Sequence, residues 1–330
     1  MAAKHKRRKT RKTALSLKEK IVFFLTLLAL VLGLIVSIGQ SGSLPVNWED
    51  IYKWFGMAAD PLPAGQLGSA DNAIHFIDVG QGDAVLLQSG GEYCLIDTGL
   101  PDSKEQLFSY LDRVGVTRLK LLVMSHPHAD HIGSMDKVIE KYPVEQILLP
   151  DLNKAPLPTS ATFERVIDAI EAHQLPATVA QQGQEFLLGN GKITVLADGI
   201  ATENLNDISQ VLYFEAGNLT AVFSGDAEKA AEKDALARMN LRPAKVLKAG
   251  HHGSNTSNTQ AFINAIMPRY IAICCGEGNS YGHPHEEPLE RFRAVNAQIL
   301  RTDLDGSIVI AEQDGVLQSY TSKQVREAAA

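Results

Sequence analysis

Leu121-Leu122-Val123-Met124-Ser125-His126-Pro127-His128-Ala129-Asp130-His131 is an apolar run that ends abruptly in four potential metal ligands within six positions. The apolar half has the length and composition of a buried strand. Ligands just past a strand's C-terminal end lie where α/β sheets place their sites. Histidines two apart on an extended turn, His126 and His128, can face one ion. Asp130 and His131, entering the next helix, then point to a second position about 3.5–4 Å away. One segment can therefore seed a two-metal site.

The remaining histidines extend this pattern. Seven of the ten fall in three clusters, at 126/128/131, 251/252 and 283/285, and His5, His75 and His173 need no special role. Asp226 closes a second apolar run, Ala221-Val222-Phe223-Ser224-Gly225-Asp226. A carboxylate presented after a small-residue turn suits a bridge between two cations. His252 follows Val246-Leu247-Lys248-Ala249-Gly250 and would complete the second ion's shell, with His251 as an outer neighbour.

Around these motifs the chain reads as a layered α/β body. From residue 73 onward, short β-branched runs alternate with amphipathic segments. Strands are expected over 74–79, 84–88, 93–96, 119–124, 146–149, 193–196, 211–215, 220–224, 246–248, 270–274 and 307–311. Helices are expected over 103–114, 132–141, 162–173, 228–239, 259–265 and 288–295. Strand groups near each end, separated by helical stretches, predict one sandwich of two sheets flanked by helices. With 330 residues, 45% apolar and 21% charged, the chain is neither disordered nor fibrous. Cys94, Cys274 and Cys275 lie in apolar runs without C-x-x-C spacing, which excludes a zinc-thiolate site and a disulfide framework.

The N-terminal region reads differently. Residues 1–20 hold nine of the 31 basic residues and one of the 38 acidic ones, so the remainder carries 22 against 37, a balance of −15. An acidic body argues against binding nucleic acid through bulk charge. Residues 21–39 carry no charge and would span about 28 Å as a helix. With the basic flank in front, this predicts a single-pass anchor whose N-terminus is cytoplasmic. The alternative is a cleaved signal segment that releases the body as a secreted protein. The expected organisation is a basic tail (1–20), a transmembrane anchor (21–39), a linker (40–72), an α/β domain carrying the candidate metal ligands (73–320) and a short tail (321–330).

The chain resembles the metallo-β-lactamase superfamily, whose H-x-H-x-D-H signature residues 126–131 match in full. More narrowly it is similar to the extracytoplasmic hydrolase domain of the ComEC family of DNA-uptake proteins. The stretches carrying that likeness are Phe76-Ile77-Asp78-Val79-Gly80-Gln81-Gly82-Asp83, Leu95-Ile96-Asp97-Thr98-Gly99, Asn206-Asp207-Ile208-Ser209, Ser224-Gly225-Asp226, His251-His252-Gly253-Ser254 and Tyr281-Gly282-His283-Pro284-His285. The resemblance implies an αββα sandwich with a dinuclear site at one edge. It also implies His126, His128, Asp130, His131, Asp226 and His252 as ligands of two divalent ions, zinc or manganese.

Two departures stand out. The superfamily usually supplies a third histidine to the first ion from the segment before Asp226, but no histidine lies between His173 and His251. Asn206, Asp207 and Ser209 occupy that window, which makes the first position harder and favours Mn²⁺ or an exchangeable ion. ComEC-like transporters also carry a polytopic channel region, whereas these residues contain one apolar span, so the chain is not expected to conduct DNA itself.

For the chemistry, the ions would lower the pKa of a shared water and stabilise negative charge on the attacked group. Asp130 is assigned as ligand and proton acceptor, and Asp97 as a group orienting ligands. Asp78, Gln81 and Asp83, with Gly80 and Gly82, either line the site or form a tight hairpin turn. Ser254 either holds substrate phosphate or starts the next helix. His283, His285 and Lys248 are candidates for phosphate contact or leaving-group protonation; the alternative for the two histidines is a loop capping the following helix. The expected activity is an extracytoplasmic metal-dependent phosphodiesterase with DNA as leading substrate. Lactamase or thioesterase chemistry, and a non-catalytic anchored module of a DNA-uptake or envelope complex, are the alternatives. The sequence names no protein partner.

Overall fold

Successive side chains on a strand point to opposite faces, and here both faces are apolar, so each sheet must be covered on both sides. The structure, a computed structural model, describes residues 70–238 and 242–324. Strands β1 (Asn72–Phe76), β2 (Val85–Ser89), β3 (Glu92–Ile96), β4 (Leu121–Val123), β5 (Ile147–Leu149) and β6 (Ala177–Val179) form one sheet. Strands β7 (Glu185–Leu188), β8 (Gly191–Ala197), β9 (Val211–Ala216), β10 (Leu219–Phe223), β11 (Val246–Lys248), β12 (Tyr270–Ile273) and β13 (Gln298–Arg301) form a second. The chain then returns to the first with β14 (Ile308–Gln313) and β15 (Val316–Thr321), giving the orders β15-β14-β1-β2-β3-β4-β5-β6 and β13-β12-β11-β10-β9-β8-β7.

Among the described residues there are eight α-helices: α1 (Lys104–Val114), α2 (Ala129–Ile132), α3 (Met135–Lys141), α4 (Ala161–Ala172), α5 (Lys229–Arg238), α6 (Gln260–Ile266), α7 (Glu286–Ala294) and α8 (Thr302–Asp305). Alternation sorts the core into three layers. Val85 and Leu87 of β2 face the second sheet, packing with Val195, Phe214 and Phe223. Leu86 between them faces α1, α3 and α4 through Leu107, Val138 and Val166. Likewise Cys274 enters the layer between the sheets, while Cys275 enters the layer of Phe262, Ile263 and Phe292 from α6 and α7. Both thiols are free and buried.

Each sheet joins an antiparallel half to a parallel one. β3, β4, β5 and β6 run parallel, as do β10, β11, β12 and β13. The loops leaving the C-terminal ends of β3, β4, β10 and β11 therefore meet at one edge, and those loops carry Asp97, His126 to His131, Asp226 and His252.

The mixed α/β sandwich of two sheets agrees with the expected class, and differences lie in individual elements. The helix expected over 132–141 is two, α2 and α3, parted at Gly133 and Ser134. β6, β7, β13, β15 and α8 were not anticipated. β15 ends at Thr321, and Ser322 behind it is buried, so the body continues where a tail was expected to begin. The anchor expected at 21–39, with its flanks, lies outside the described residues; among those described, no helix is long and apolar enough to cross a membrane.

One buried polar group away from the site sets a pH dependence. His75 is fully buried in β1. Its Nε2 donates to Gln88 Oε1 at 3.4 Å, so Nδ1 accepts from the Tyr110 hydroxyl at 3.0 Å. Burial lowers its pKa to about 4, with the Gln88 bond opposing. A depressed histidine binds its proton in the unfolded chain first, so stability falls as pH drops from about 6.5 to about 4. Over that window His75 should cost roughly 3 kcal/mol. Urea unfolding of the parent and His75→Gln should show a stability difference that closes by about this amount on acidification; a pH-independent difference would contradict it.

Candidate metal centre

The site grows from the loop after β4. Ser125 donates its hydroxyl proton to Asp97 Oδ2 at 2.6 Å, and its backbone N–H donates to Asp97 Oδ1 at 2.8 Å. With that proton committed, Ser125 Oγ can only accept from His126 Nδ1, 3.1 Å away. His131 Nδ1 donates to the same Asp97 Oδ2 at 2.8 Å. His252 Nδ1 donates to the Cys274 carbonyl at 2.9 Å. In all three rings Nδ1 donates to a partner that accepts, which leaves Nε2 as the atom that can bind a cation.

Those three Nε2 atoms converge on one oxygen. Asp226 Oδ2 lies 3.9 Å from His126 Nε2, 3.2 Å from His131 Nε2 and 3.6 Å from His252 Nε2. His128 Nδ1 lies 3.0 Å from His126 Nε2, and Asp130 Oδ2 lies 3.2 Å from His252 Nε2. Two ligands at the bond lengths of a tetrahedral ion stand about 3.4 Å apart, so these separations suit acceptors gathered around a cation. Asp226 Oδ1 and His131 Nε2 are buried without a hydrogen-bond partner, as ligand atoms held ready would be. The residues present fit a divalent metal.

Asp83, His131, Asp226 and His252 are all buried, with one candidate ligand atom from each within 4.8 Å of the others. Asp83 stands apart within this set because it faces the Nδ1 side of the rings. Its Oδ1 is 3.2 Å from His252 Nδ1 and its Oδ2 3.7 Å from His131 Nδ1, while Lys248 pairs with Oδ2. We therefore read Asp83 as holding two histidines from behind. The turn carrying it needs glycine: at Gly82 (φ +145°) a Cβ would stand 2.4 Å from the Asp130 carbonyl oxygen, against which Asp83 N–H bonds.

The charges follow from this packing. Burial opposes ionisation of His131, yet Asp226, Asp97, Asp83 and Asp130 together raise its pKa well above the usual value. His252 is likewise raised to about 9 by Asp226 and Asp83 against burial. His126 is lowered well below its usual value by burial and by His131. Asp226 is held well below the carboxylate range, its burial outweighed by His131 and His252. An entering cation must displace protons from His131 and His252 near neutral pH.

The other expected site residues divide. Gln81, Asn206, His251 and His283 line a cavity of about 340 Å³ together with His128, Asp130, Asp226, His252 and Tyr281. His251 Nδ1 lies 3.1 Å from Thr256 Oγ1, and its Nε2 is 3.7 Å from Asp226 Oδ2. Ser209 Oγ accepts from Asp226 N at 3.1 Å, steadying the loop. Asp78 accepts from Gly80 N at 3.1 Å, closing the turn outside the cavity.

The expectation for Lys248 is corrected, and the positions of Ser254, His285 and His283 bear on the alternatives left open for them. Lys248, expected to touch substrate, is 1% exposed and spent on Asp83, because its strand points it between the sheets. Ser254 and His285 do not line the cavity: Ser254 Oγ accepts from Thr256 N, and His285 Nδ1 accepts from Asn255 N at 3.1 Å while the residue stands at the N-cap position of α7 without a side-chain capping bond. His283 does line the cavity, but burial and His252 and His251 lower its pKa to about 4, so it is no standing acid near neutral pH.

Two features escaped the sequence reading. His251 and His252 both have left-handed backbones, φ 49° and 53°, a strained pair for side-chain-bearing residues. Buried Asn258 holds them there, accepting from Gly250 N at 2.8 Å and donating to the Gly250 carbonyl at 2.8 Å. Tyr281 stacks on His283 at 5.6 Å and 18°, and is itself 65% exposed at the cavity's lip.

Sandwich, edge and ligand cluster define a metallo-β-lactamase architecture. The family model of the metallo-beta-lactamase superfamily matches residues 77–277, and the chain belongs to that superfamily. Among curated relatives, ComE operon protein 3 of Bacillus subtilis is 28% identical over 262 residues, covering 73% of this chain and 33% of that protein. Competence protein ComA of Neisseria gonorrhoeae is 30% identical over 243 residues, covering 72% and 32%. The chain thus spans about a third of the length of these ComEC-family relatives. Among solved structures, CmlA, a diiron beta-hydroxylase from Streptomyces venezuelae, aligns with a TM-score of 0.51 at 13% identity, covering 83% of this chain and 59% of CmlA, a likeness of fold alone.

Proposed function

We propose that this chain is a metal-dependent phosphodiesterase that binds two divalent ions, acts outside the cytoplasm behind an N-terminal anchor, and takes DNA as its leading substrate. The observation that carries the reading is the set of three histidines aimed at Asp226 beside an open polar cavity. Bound divalent ions would supply an acidified water and Lewis-acid stabilisation of phosphoryl charge. Asp130, kept ionised by His131 and His252 against its burial, is the proton acceptor at the cavity wall. Gln81 Oε1 accepts from Gly276 N, so its Nε2, buried without a partner, is the donor facing the cavity; it suits a phosphoryl oxygen. The resemblance to competence proteins supports DNA, while the acidic body leaves smaller phosphodiesters, choline-phosphate groups among them, as the competing outcome.

The test is hydrolysis of linear DNA and of a small chromogenic phosphodiester by the chelator-stripped full chain in detergent, with Mn²⁺ or Zn²⁺ restored. Cleavage of both is expected; hydrolysis of the small ester alone would reject DNA, and hydrolysis of neither by metal-loaded protein would reject the activity.

Tyr281 offers one flat aromatic face, which suits base stacking better than the several-walled cage a quaternary ammonium needs. Tyr281→Ala should raise KM for single-stranded DNA by roughly 5- to 100-fold and leave an abasic strand unchanged, while Tyr281→Phe should behave as the parent. Equal effects on both strands would refute a stacking role.

A further inference from the structure

The cavity's two amides are set in opposite senses. Gln81 presents a donor, whereas Asn206 presents an acceptor. Asn206 is 8% exposed, shares the cavity with His128 and Asp226, and its Oδ1 is buried without a hydrogen-bond partner. Its orientation is fixed, because Nδ2 donates to Glu228 Oε1 at 3.2 Å and a carboxylate can only accept. The carbonyl oxygen is therefore the end left unbonded. The turn carrying it is tied to the Asp226 loop: Glu228 N donates to Asp207 Oδ1 at 2.9 Å, and Asp226 N to Ser209 Oγ at 3.1 Å. The backbone of Asn206 is held by Asn204 Oδ1 at 3.1 Å.

An acceptor buried and locked in this way needs a partner. His128 and Asp226 share that wall, Asp226 Oδ1 is likewise buried without a partner, and His128 Nδ1 stands 3.0 Å from His126 Nε2 as two ligands of one ion would, so the partner that satisfies these groups together with Asn206 is a cation. We propose that Asn206 Oδ1 is an oxygen ligand of a divalent cation on the His126–His128 side of Asp226, with Glu228 as the positioning residue that turns the amide. Histidine is absent from this window, and an amide oxygen in its place makes the position harder, shifting preference from Zn²⁺ toward Mn²⁺. The inference rests on the metal-dependent reading above but not on any substrate.

The experiment is Mn²⁺ and Zn²⁺ binding to the chelator-stripped full chain by equilibrium dialysis, with manganese spin resonance as a second readout and thermal melts to verify folding. Asn206→Ala should weaken one Mn²⁺ site by about tenfold or more and leave the other in place. The near-isosteric Asn206→Asp should tighten that site, and Asn206→His should move its preference toward Zn²⁺. Glu228→Gln should weaken it by a smaller factor, because a glutamine no longer dictates which end of the Asn206 amide faces the cavity. Folded Asn206→Ala and Asn206→Asp that bind both ions like the parent overturn the proposal. A parent that binds no divalent ion overturns the metal-dependent reading itself, which is a separable result.

Discussion

Asp226→Asn is expected to abolish high-affinity binding of divalent metal and to remove turnover with it. One oxygen, Oδ2, lies 3.2–3.9 Å from the Nε2 atoms of His126, His131, His251 and His252, so no other single atom touches as much of the site. Asparagine keeps the shape and removes the charge. Losing a partner that only orients ligands costs about 10- to 100-fold in affinity; loss of the group on which the ligands converge should exceed roughly 100-fold. The same substitution takes away the largest attraction raising His252, whose pKa should fall from about 9 toward the ordinary value. Proton resonance titration of stripped protein reads that shift without metal or substrate. Asp97→Asn is the contrast: it loosens the hold on Ser125 and His131 but leaves the Asp226 oxygen on which the rings converge, and a milder loss is expected. If Asp226→Asn retains the parent's metal stoichiometry and turns over within tenfold of it, the convergence described above has no chemical role.

The parts of this centre that were legible in the sequence share a property. His126 to His131, Asp226 and His252 each follow an apolar run directly, and a strand's end is a place where α/β sheets expose side chains. Asp97 was placed for the same reason, after Tyr93 to Ile96. What was not legible depends on contacts distant in sequence. Asp83 and Lys248 are 165 positions apart, and nothing local to Val246-Leu247-Lys248 says that the lysine faces inward to meet a carboxylate rather than outward to meet phosphate. Asn258 holds the His251–His252 turn from a neighbouring loop, where an asparagine before a helix reads as a mere cap. The missed strands β6 and β13 are short edge strands, and β7 carries exposed Leu187. At an edge, alternation of apolar and polar residues is not enforced by burial on both faces, and the period that reveals a strand is lost. The helix expected over 132–141 is interrupted by a contact distant in sequence: Gly133 N–H donates to the Gly99 carbonyl at 2.8 Å, an approach that leaves no room for a Cβ at 133, and Ser134 then leaves helical backbone (φ −109°, ψ 9°).

The buried pair behind the histidines carries the second large expectation. Lys248→Met should destabilise the metal-free protein by about 3–5 kcal/mol, because it leaves the Asp83 carboxylate buried with its cation gone. For a body of this size that is a fall in melting temperature of roughly 6–20 °C. Lys248 is the largest attraction holding Asp83 down to about 2 against its own burial, so removing it lets burial push that carboxyl up and leaves His252 and His131 as its remaining counter-charges. The double variant Lys248→Met with Asp83→Leu buries no charge at this position and should recover most of the lost stability, since an apolar pair can replace a buried ion pair at little cost. Metal affinity should not recover with it. His131 and His252 would then lack the carboxylate behind them, leaving one ring held by Asp97 and the other by a backbone carbonyl. Separation of the two properties in one pair of variants is the decisive feature: stability restored with metal binding still weakened identifies Asp83 as the group that holds the ligands, and Lys248 as the counter-charge that lets it stay buried. Lys248→Met that melts within a few degrees of the parent, or a double variant that binds metal like the parent, would show that this pair neither supports the fold nor orients the site.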